Sequence, residues 1–361
     1  MSIASQLLEA EMSAGQKVML VGDPGLAKTH MILQTAEKTG YQTTIETDEG
    51  VMSTVMRASL LERVDLTGCM VPDNKLGVTR QLPFVLIKAL QSVKQKIVLF
   101  VDDFGQPPID VQGSLMRLFD NHFLPPNVLI WAATNRPGTK SGVNSLCEPL
   151  RSRFDSVYLI PTPDNPNDEK GDGGTLLCSW REWADNWLEW AMDNGAPPEV
   201  IAWHRSSRFS SLYNWKPNAD PSLRMADFRS WGAVIDRWNK GLRSLRQIAS
   251  VIGKGAAAEF LAFAKLAEKL PTPDEVWKNP KTAKVPEETS AQYLISSVLS
   301  QQVVLSVASE FITYVSRLPR LFTALAVRDA YNRKDLGSKL AANTQWVKWF
   351  DANQKLFLDE E

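Results

Sequence analysis

Gly22-Asp23-Pro24-Gly25-Leu26-Ala27-Lys28-Thr29 is the stretch of sequence that decides the fold. It follows the apolar run Val18 to Val21, and helical spacing continues from Lys28 to about Lys38. A glycine-rich turn between a strand and a helix is typical of a phosphate-binding loop, in which backbone N–H groups and the helix N-terminus face the phosphate oxygens. We therefore expect residues 22–29 to bind the phosphates of a nucleotide.

Two side chains of this loop, Lys28 and Thr29, carry the chemistry that such a site needs. The lysine ammonium is a point charge suited to the β and γ phosphates, and the threonine hydroxyl is a ligand for Mg²⁺. We therefore expect ATP and Mg²⁺ as the bound groups. Ala27 stands where this kind of loop usually has a second glycine, and its methyl group is harmless only if φ is negative there.

Further apolar stretches predict the other strands of a parallel sheet. Ile97 to Val101 and Val128 to Ala132 are continuous apolar runs, which are typical of strands buried on both faces. Tyr41 to Ile45 and Val157 to Ile160 are two more candidate strands. Because strands alternate with helices, the predicted fold class is α/β, with a layered αβα base over residues 1–160.

The sequence changes character after residue 160. Residues 161–174 are rich in proline, glycine and acids, so we expect a linker there. Trp180, Trp183, Trp187 and Trp190 then recur at spacings of three and four, which predicts one face of a helix packed into a core.

A second stretch with several prolines, Pro271 to Pro286, precedes a C-terminal region in which apolar residues recur at helical spacing. We therefore expect an all-α domain over residues 175–270 and a C-terminal helical region over residues 271–361.

Composition is that of an ordinary globular protein. With a net charge of −1, bulk charge demands neither a nucleic-acid nor a membrane partner. Cys69, Cys147 and Cys178 are widely spaced, which argues against a disulfide framework or a zinc site. Neither a long apolar run nor a secretory pattern is present, so we expect a cytoplasmic protein with no membrane partner.

Polar side chains follow the predicted strands in a fixed order. Asp102-Asp103 ends the run that begins at Ile97, Asn135 follows the run that begins at Val128, and Arg151-Ser152-Arg153-Phe154 precedes the last strand. Together with the loop at residues 22–29, this order resembles that of AAA+ ATPases. The resemblance implies a P-loop NTPase base and a helical lid.

The resemblance also implies roles for these side chains. Asp102 resembles the Walker B carboxylate that holds Mg²⁺, and Asp103 stands where AAA+ proteins usually carry a glutamate that polarises the attacking water. Aspartate is one methylene shorter, so its reach and the speed of turnover are open. Asn135 resembles sensor 1, which orients that water beside the γ-phosphate.

The resemblance also implies two roles for arginines. Arg153 matches the arginine finger, which stabilises charge on the γ-phosphate of a neighbouring subunit, and Arg151 is the second choice. Pro221-Ser222-Leu223-Arg224 resembles the start of the lid helix that carries sensor 2, so Arg224 is expected to touch the γ-phosphate of its own subunit. Arg229 is the alternative.

Finer features resemble the MoxR-like group, in a bacterial and phage branch with a tryptophan-rich lid. The stretches that carry this likeness are Val64 to Gly68, Phe104 to Pro108 with Val111-Gln112, Gly142-Val143 through Phe154, Gly255 to Phe260, and Leu270 to Pro273.

The MoxR-like resemblance implies a homo-oligomer, a hexameric ring, that remodels or matures protein complexes with a VWA-type or metallopeptidase-like partner. It also implies pore loops within residues 47–80 or 104–112.

Two other functions remain open. The loop GDPGLAKT and the stretch SRFD also resemble motifs of minichromosome-maintenance helicases, so a DNA-acting motor is one alternative. The chain shows no basic run with interleaved aromatics, which makes nucleic acid the less favoured partner. Ala27 and Asp103 motivate the second alternative, a scaffold that binds ATP and hydrolyses it weakly.

Overall fold

The computed structural model describes residues 3–48, 50–75, 77–137, 144, 146–164, 174–216, 220 and 223–358. The chain forms two compact units. The first comprises Met1–Asn186 and Trp215–Asp220, and the second comprises Trp187–Asn214 and Pro221–Glu361.

All strands among the described residues lie in the first unit. In chain order they are β1 (Val18–Val21), β2 (Thr44–Thr47), β3 (Gly50–Ser53), β4 (Val55–Arg57), β5 (Cys69–Asp73), β6 (Val78–Leu82), β7 (Ile97–Asp102), β8 (Val128–Thr134), β9 (Ser156–Leu159) and β10 (Thr175–Leu176).

Six of these strands form one sheet in the order β10-β9-β1-β8-β7-β4, and every pairing in it is parallel. Strand β1 therefore lies between β9 and β8, and β8 lies beside β7. Because parallel strands all end at the same edge, the chain segments that leave β1, β7 and β8 meet there. The predicted α/β fold with a P-loop NTPase base is confirmed.

The central strands form because their side chains are apolar on both faces. All four residues of β1 and the first five of β7 are buried, as are all seven of β8. Their two faces are covered by helices, and the core on one face includes Leu86, Leu90, Leu115 and Leu150.

The expected strand at Tyr41 to Ile45 is found later, as β2 at Thr44–Thr47, and it is not part of the six-stranded sheet. Gln42 makes one isolated parallel bridge to Ile97, and residues 44–47 form an antiparallel hairpin with β3. In β2 only Ile45 is buried, so the segment lacks the two apolar faces that a central strand needs. The outer strand of the main sheet is β4, which pairs with β7.

Strands β5 and β6 form a second antiparallel hairpin, with Cys69 opposite Leu82 and Asp73 opposite Val78. Nine of its ten residues are exposed. Arg80 and Asp73 form an ion pair across the two strands, with Nε and Oδ2 2.7 Å apart.

Within the part of the first unit that the structure describes, seven helices begin. They are α1 (Ile3–Ser13), α2 (Lys28–Thr39), α3 (Arg63–Thr67), α4 (Val85–Ser92), α5 (Ile109–Leu115), α6 (Glu148–Arg151) and α7 (Trp180–Asp193). Helix α2 begins at Lys28 as predicted, and it ends at Gly40, whose φ of 76° allows its N–H to reach the carbonyls of Ala36 and Glu37.

The second unit is helical. Its helices are α8 (Pro198–Ser206), α9 (Phe228–Asn239), α10 (Leu245–Ile252), α11 (Lys254–Ala264), α12 (Pro273–Lys278), α13 (Thr289–Gln302), α14 (Ala308–Val315), α15 (Arg320–Asn332), α16 (Gly337–Ala341), α17 (Thr344–Ala352) and α18 (Lys355–Leu358). Short 3₁₀ turns occur at Ala58–Leu60 and Met116–Phe119 in the first unit, and at Lys265–Lys269 and Leu305–Val307 in the second.

Tryptophans contribute to the core of this unit, although Trp180 and Trp183 of the predicted helix face belong to the first unit. Trp187, Trp231 and Trp238 are buried, and the ring of Trp231 makes an edge contact with Phe260 at 5.4 Å between centroids. A buried ion pair between Arg205 of α8 and Asp329 of α15 joins the regions before and after residue 270. The predicted division at residues 160, 174 and 270 stays a prediction.

Candidate functional site

The loop at residues 22–29 leaves β1 and packs tightly against the sheet. A Cβ atom on Gly22 would lie 2.7 Å from the Cβ of Ile160, so only glycine fits at that position. The N–H of Gly22 donates to the carbonyl of Thr134 at 3.2 Å, and Gly25 adopts a φ of 79°. The loop is therefore held against the ends of β8 and β9.

Ala27 does not have the negative φ under which its methyl group would be harmless. Its φ is 58° and its ψ is 23°, which is the left-handed region. Left-handed backbone costs a residue with a Cβ about 1–2 kcal/mol. The loop thus keeps the backbone turn that glycine usually supplies, and it stores strain at Ala27.

Lys28 is buried at the first turn of α2, with 8% of its surface exposed. Its Nζ donates to the carbonyl oxygens of Gly22 at 2.7 Å and Asp23 at 2.9 Å, and to Oδ1 of Asn135 at 2.9 Å. A buried ammonium needs such acceptors, because an unpaired charge is expensive to remove from water. These contacts hold the charge where the loop turns into the helix.

Thr29 and Asp102 bring two oxygen ligands together. The Thr29 hydroxyl donates to Oδ2 of Asp102 at 2.8 Å, and the N–H of Asp103 donates to Oδ1 of Asp102 at 3.0 Å. Hydroxyl and carboxylate oxygens are the ligands that Mg²⁺ prefers. The described residues contain no group of three or more His, Cys, Asp or Glu placed to hold a metal ion by themselves, so a cation here would need phosphate or water as further ligands.

Asp103 sits in a strained and partly buried position. Its φ is 55°. The Gln106 side chain donates to Oδ1 at 3.1 Å, and the Ser59 hydroxyl lies 3.4 Å from Oδ2. Burial, and then the negative charge of Asp102, raise the pKa of Asp103, and the Ser59 hydrogen bond opposes that rise. The carboxylate is therefore a stronger proton acceptor than an exposed aspartate.

The end of β8 contacts both the segment that follows β7 and the loop at residues 22–29. The N–H of Phe104 donates to the carbonyl of Ala133 at 2.9 Å, and the N–H of Gly105 donates to the Thr134 hydroxyl at 3.1 Å. Asn135 follows at once and contacts Lys28. The predicted residues Lys28, Thr29, Asp102, Asp103 and Asn135 thus lie in one cluster of contacts.

The two arginines of the candidate finger lie apart from that cluster. Arg153 is exposed just beyond α6, and Arg151 is half-buried at its end. Neither guanidinium bonds to Asp102 or Asp103, both of which are described. Nη2 of Arg151 is buried and has no hydrogen-bond partner among the described residues.

Phe154 anchors this segment in the core. Its ring makes edge contacts with Phe104, at 5.3 Å between centroids, and with Phe119, at 5.2 Å.

The expected lid helix begins later than predicted. Arg224 precedes α9, which begins at Phe228, because Asp227 caps it by accepting from the N–H of Ser230 at 2.6 Å. The alternative, Arg229, lies in the first turn of α9, and both arginines are exposed residues of the second unit. Pro221, Ser222, Gly142 and Val143 lie outside the described residues.

Four residues near the site make contacts that the sequence does not indicate, although Gln106 and Gln112 lie in stretches that resemble the MoxR-like group. Ser59 and Gln106 contact Asp103, and Gln112 is fully buried close by on α5. The Trp183 indole donates to the carbonyl of Leu26 at 3.2 Å, beneath the loop. The helical spacing of Trp183 predicts burial, but nothing in it indicates a partner in the loop.

Comparison with protein families gives one match. Residues 17–154 match the model described as AAA domain (dynein-related subfamily). The range contains the loop, both aspartates, Asn135 and Arg153. The expected AAA+ domain is confirmed for this region, and the MoxR-like branch stays a prediction.

Solved structures give distant likenesses. A mutant of RuvB from Thermotoga maritima is 17% identical, with 87% of this chain and 86% of that one covered and a TM-score of 0.36. NtrX from Brucella abortus in complex with ATP is 11% identical, with 98% and 67% covered and a TM-score of 0.40. At these scores neither likeness bears on the function of this chain.

Among the described residues, no helix is both long enough and apolar enough to span a bilayer.

Proposed function

We propose that this protein hydrolyses ATP, and that it works as a ring of identical copies to remodel a protein partner. The observation that carries the proposal is the meeting of Lys28, Thr29, Asp102, Asp103 and Asn135 through direct contacts at one edge of a parallel sheet. A buried ammonium, a hydroxyl–carboxylate pair and a second carboxylate are together what phosphoryl transfer to water requires.

ATP and Mg²⁺ fit the residues that are present. Gly22 packs where no larger residue fits, and Gly25 and Ala27 supply the left-handed turns with which backbone N–H groups can encircle an anion. Lys28 would hold the β and γ phosphates, and Thr29 and Asp102 would hold Mg²⁺. The metal, when bound, would neutralise charge on the phosphate oxygens.

Asp103 and Asn135 are the groups proposed to act on the attacking water. Asp103 would accept its proton, for which a raised pKa is favourable. Asn135 would orient the water, and its contact with Lys28 fixes the amide beside the phosphate-binding ammonium.

Residues 147–153, the arginine segment, support the proposal of a ring. Arg153 is exposed and makes no hydrogen bond or ion pair with the two carboxylates, so it is available to a second copy of the chain. We assign it as the finger that completes the neighbour's site, with Arg151 as second choice. Arg224, or Arg229 in its place, would contact the γ-phosphate from the helical unit.

The client is proposed to be a protein, with a VWA-type or metallopeptidase-like partner, as MoxR-like proteins have. Both hairpins within residues 44–82 expose apolar side chains, Val51 by 72% and Met70 by 64%. Apolar groups on protruding hairpins suit contact with a polypeptide. They support the placement of pore loops within residues 47–80.

A steady-state ATPase assay on the assembled protein tests the proposal. Lys28→Ala should abolish nucleotide binding, while Arg153→Ala should retain it and lower kcat by roughly 10³-fold. The exposed residues Lys94 and Arg246 supply matched controls, since Lys94→Ala and Arg246→Ala remove the same charges elsewhere. Normal turnover by the Arg153 variant would show that the finger assignment is wrong.

The short side chain of Asp103 and the left-handed backbone at Ala27 favour one second candidate, an ATP-gated scaffold with weak hydrolysis. If wild type and Asp103→Ala turn over ATP at the same near-zero rate, the scaffold replaces the motor. Strong stimulation of the wild type by single- or double-stranded DNA would instead favour a DNA-acting motor.

A further inference from the structure

Gln112 joins the two segments that carry the candidate catalytic groups. It lies on α5 and is fully buried. Its Nε2 donates to the carbonyl of Pro107 at 3.1 Å, four residues after Asp103, and its Oε1 accepts from the N–H of Cys147 at 3.1 Å. Cys147 is the N-cap residue of α6, the helix that leads to Arg151 and Arg153.

The side-chain amide suits this position because it has a donor and an acceptor at the same end. The carbonyl of Pro107 needs a hydrogen-bond donor, and the N–H of Cys147 needs an acceptor. Aspartate or glutamate in charged form lacks the donor, and an apolar residue would leave both backbone groups unpaired in a buried place.

Two more contacts join the same two segments. The N–H of Asn144 donates to the carbonyl of Gly105 at 2.8 Å, and its Nδ2 donates to the carbonyls of Gln106 at 2.9 Å and Pro107 at 3.0 Å. Phe154, which directly follows the arginine segment, makes an edge contact with Phe104. Asn144, Cys147 and Phe154 are therefore each linked to a residue between 104 and 112.

We propose that Gln112 is a positioning residue that aims the arginine segment, residues 147–153, at the nucleotide of the neighbouring copy. The inference rests on the proposed function, because it requires a finger that acts between copies. Gln112 would act through its contacts with Pro107 and with Cys147, the N-cap residue of α6. It sets the start of α6 relative to the segment after Asp103, so a subunit without this link offers its neighbour a misplaced guanidinium while its own loop is intact.

The test is complementation between two defective subunits. Gln112→Met keeps the volume and removes both hydrogen bonds. Alone, the assembled variant should bind a fluorescent ATP analogue as wild type does, with kcat lowered about 100-fold by the misplaced group. Gln95→Met, a change at an exposed glutamine of the same unit, is the matched control and should leave kcat unchanged.

The variant is then co-expressed with Lys28→Ala subunits under two different tags, and mixed assemblies are purified through both. Lys28→Ala subunits are inactive but carry an intact arginine segment, so turnover per Gln112→Met subunit should recover severalfold. A structural defect confined to the variant's own site would not be repaired by a neighbour. Arg153→Ala mixed with Lys28→Ala is the reference pair.

Three outcomes decide the matter. Recovery in both pairs supports the inference. Recovery with Arg153→Ala but not with Gln112→Met overturns it and leaves the proposed function standing. Recovery in neither pair overturns the finger between copies and the inference with it. If Gln112→Met fails to fold, as judged by its melting curve, Asn144→Ala takes its place, because Asn144 is exposed and its side chain links the same segments.

Discussion

The Lys28 ammonium donates to Oδ1 of Asn135 at 2.9 Å, so the phosphate-binding loop and the end of β8 share a direct contact. Lys28, which is proposed to hold the phosphates, thereby fixes the side-chain amide of Asn135, which is proposed to orient the attacking water. The binding of ATP and the orientation of water can therefore be separated by a substitution at Asn135, which leaves Lys28 in place.

Asn135→Ala should lower kcat about 100-fold, in the range found when one polar group at a reacting centre is lost. The affinity for ATP should change little, because Lys28 keeps its other contacts with the loop. Single-turnover hydrolysis and analogue titration measure the two quantities separately. A large loss of affinity with unchanged kcat would contradict the assigned role.

Ala27→Gly should stabilise the first unit or leave it unchanged. Relief of left-handed strain is worth about 1–2 kcal/mol, and the greater freedom of glycine in the unfolded chain removes about 0.4–1 kcal/mol of that gain. Ala258→Gly, at an exposed site within α11, is the control and should lose about 0.5–1 kcal/mol. Thermal and urea unfolding measure both; loss of stability in Ala27→Gly would contradict the strain at Ala27.

Ser59→Ala should move the acid limb of the pH–kcat profile to higher pH. Asp103 must be ionised to accept a proton, so activity falls as pH drops through its pKa. Burial and Asp102 already raise that pKa, and the Ser59 hydroxyl lowers it. Removing the hydroxyl raises the pKa further. Profiles of wild type, Ser59→Ala and the exposed control Ser92→Ala should differ only in the Ser59 variant.

His204→Phe should reduce the acid sensitivity of the second unit. Burial lowers the pKa of His204 to about 3, while in the unfolded chain it is near 6.5. Below pH 6.5 the unfolded state therefore binds a proton that the folded state refuses. The stability of the wild type falls by up to about 1.4 kcal/mol per pH unit down to pH 3.

Urea midpoints at pH 7 and pH 5 measure this effect. The drop between the two should be smaller in His204→Phe than in the wild type by about 2 kcal/mol. His122→Asn, at an exposed histidine, should keep the drop of the wild type. Equal drops in all three proteins would mean that His204 is protonated in the folded state.

The strands around the site could be predicted because their signal is local. Val18 to Val21 forms a strand with the predicted bounds, and Ile97 and Val128 begin strands as expected. Burial on both faces demands apolar residues at consecutive positions, and a sequence displays that directly. The polar residues after these strands were likewise expected to form one site, and Lys28, Asp102 and Asn135 do lie in one cluster of contacts.

Other features depend on contacts between distant residues. The left-handed backbone at Ala27 follows from how the loop packs on the sheet, and residue type alone argues against it. The start of α9 was expected too early because the capping partners Asp227 and Ser230 compete with Pro221 as helix start signals. No local pattern indicates the contact of Gln112 with Cys147 or that of Ser59 with Asp103, since these partners lie 35 and 44 residues away.

The hydrogen bond from the Trp183 indole to the carbonyl of Leu26 provides a spectroscopic handle on the loop. An indole proton resonates in an uncluttered part of a nitrogen-correlated NMR spectrum, and its shift depends on the length of the bond it makes. Any ligand that draws the loop toward itself would lengthen that bond and move one assignable peak. Occupancy could then be titrated without a label on the ligand.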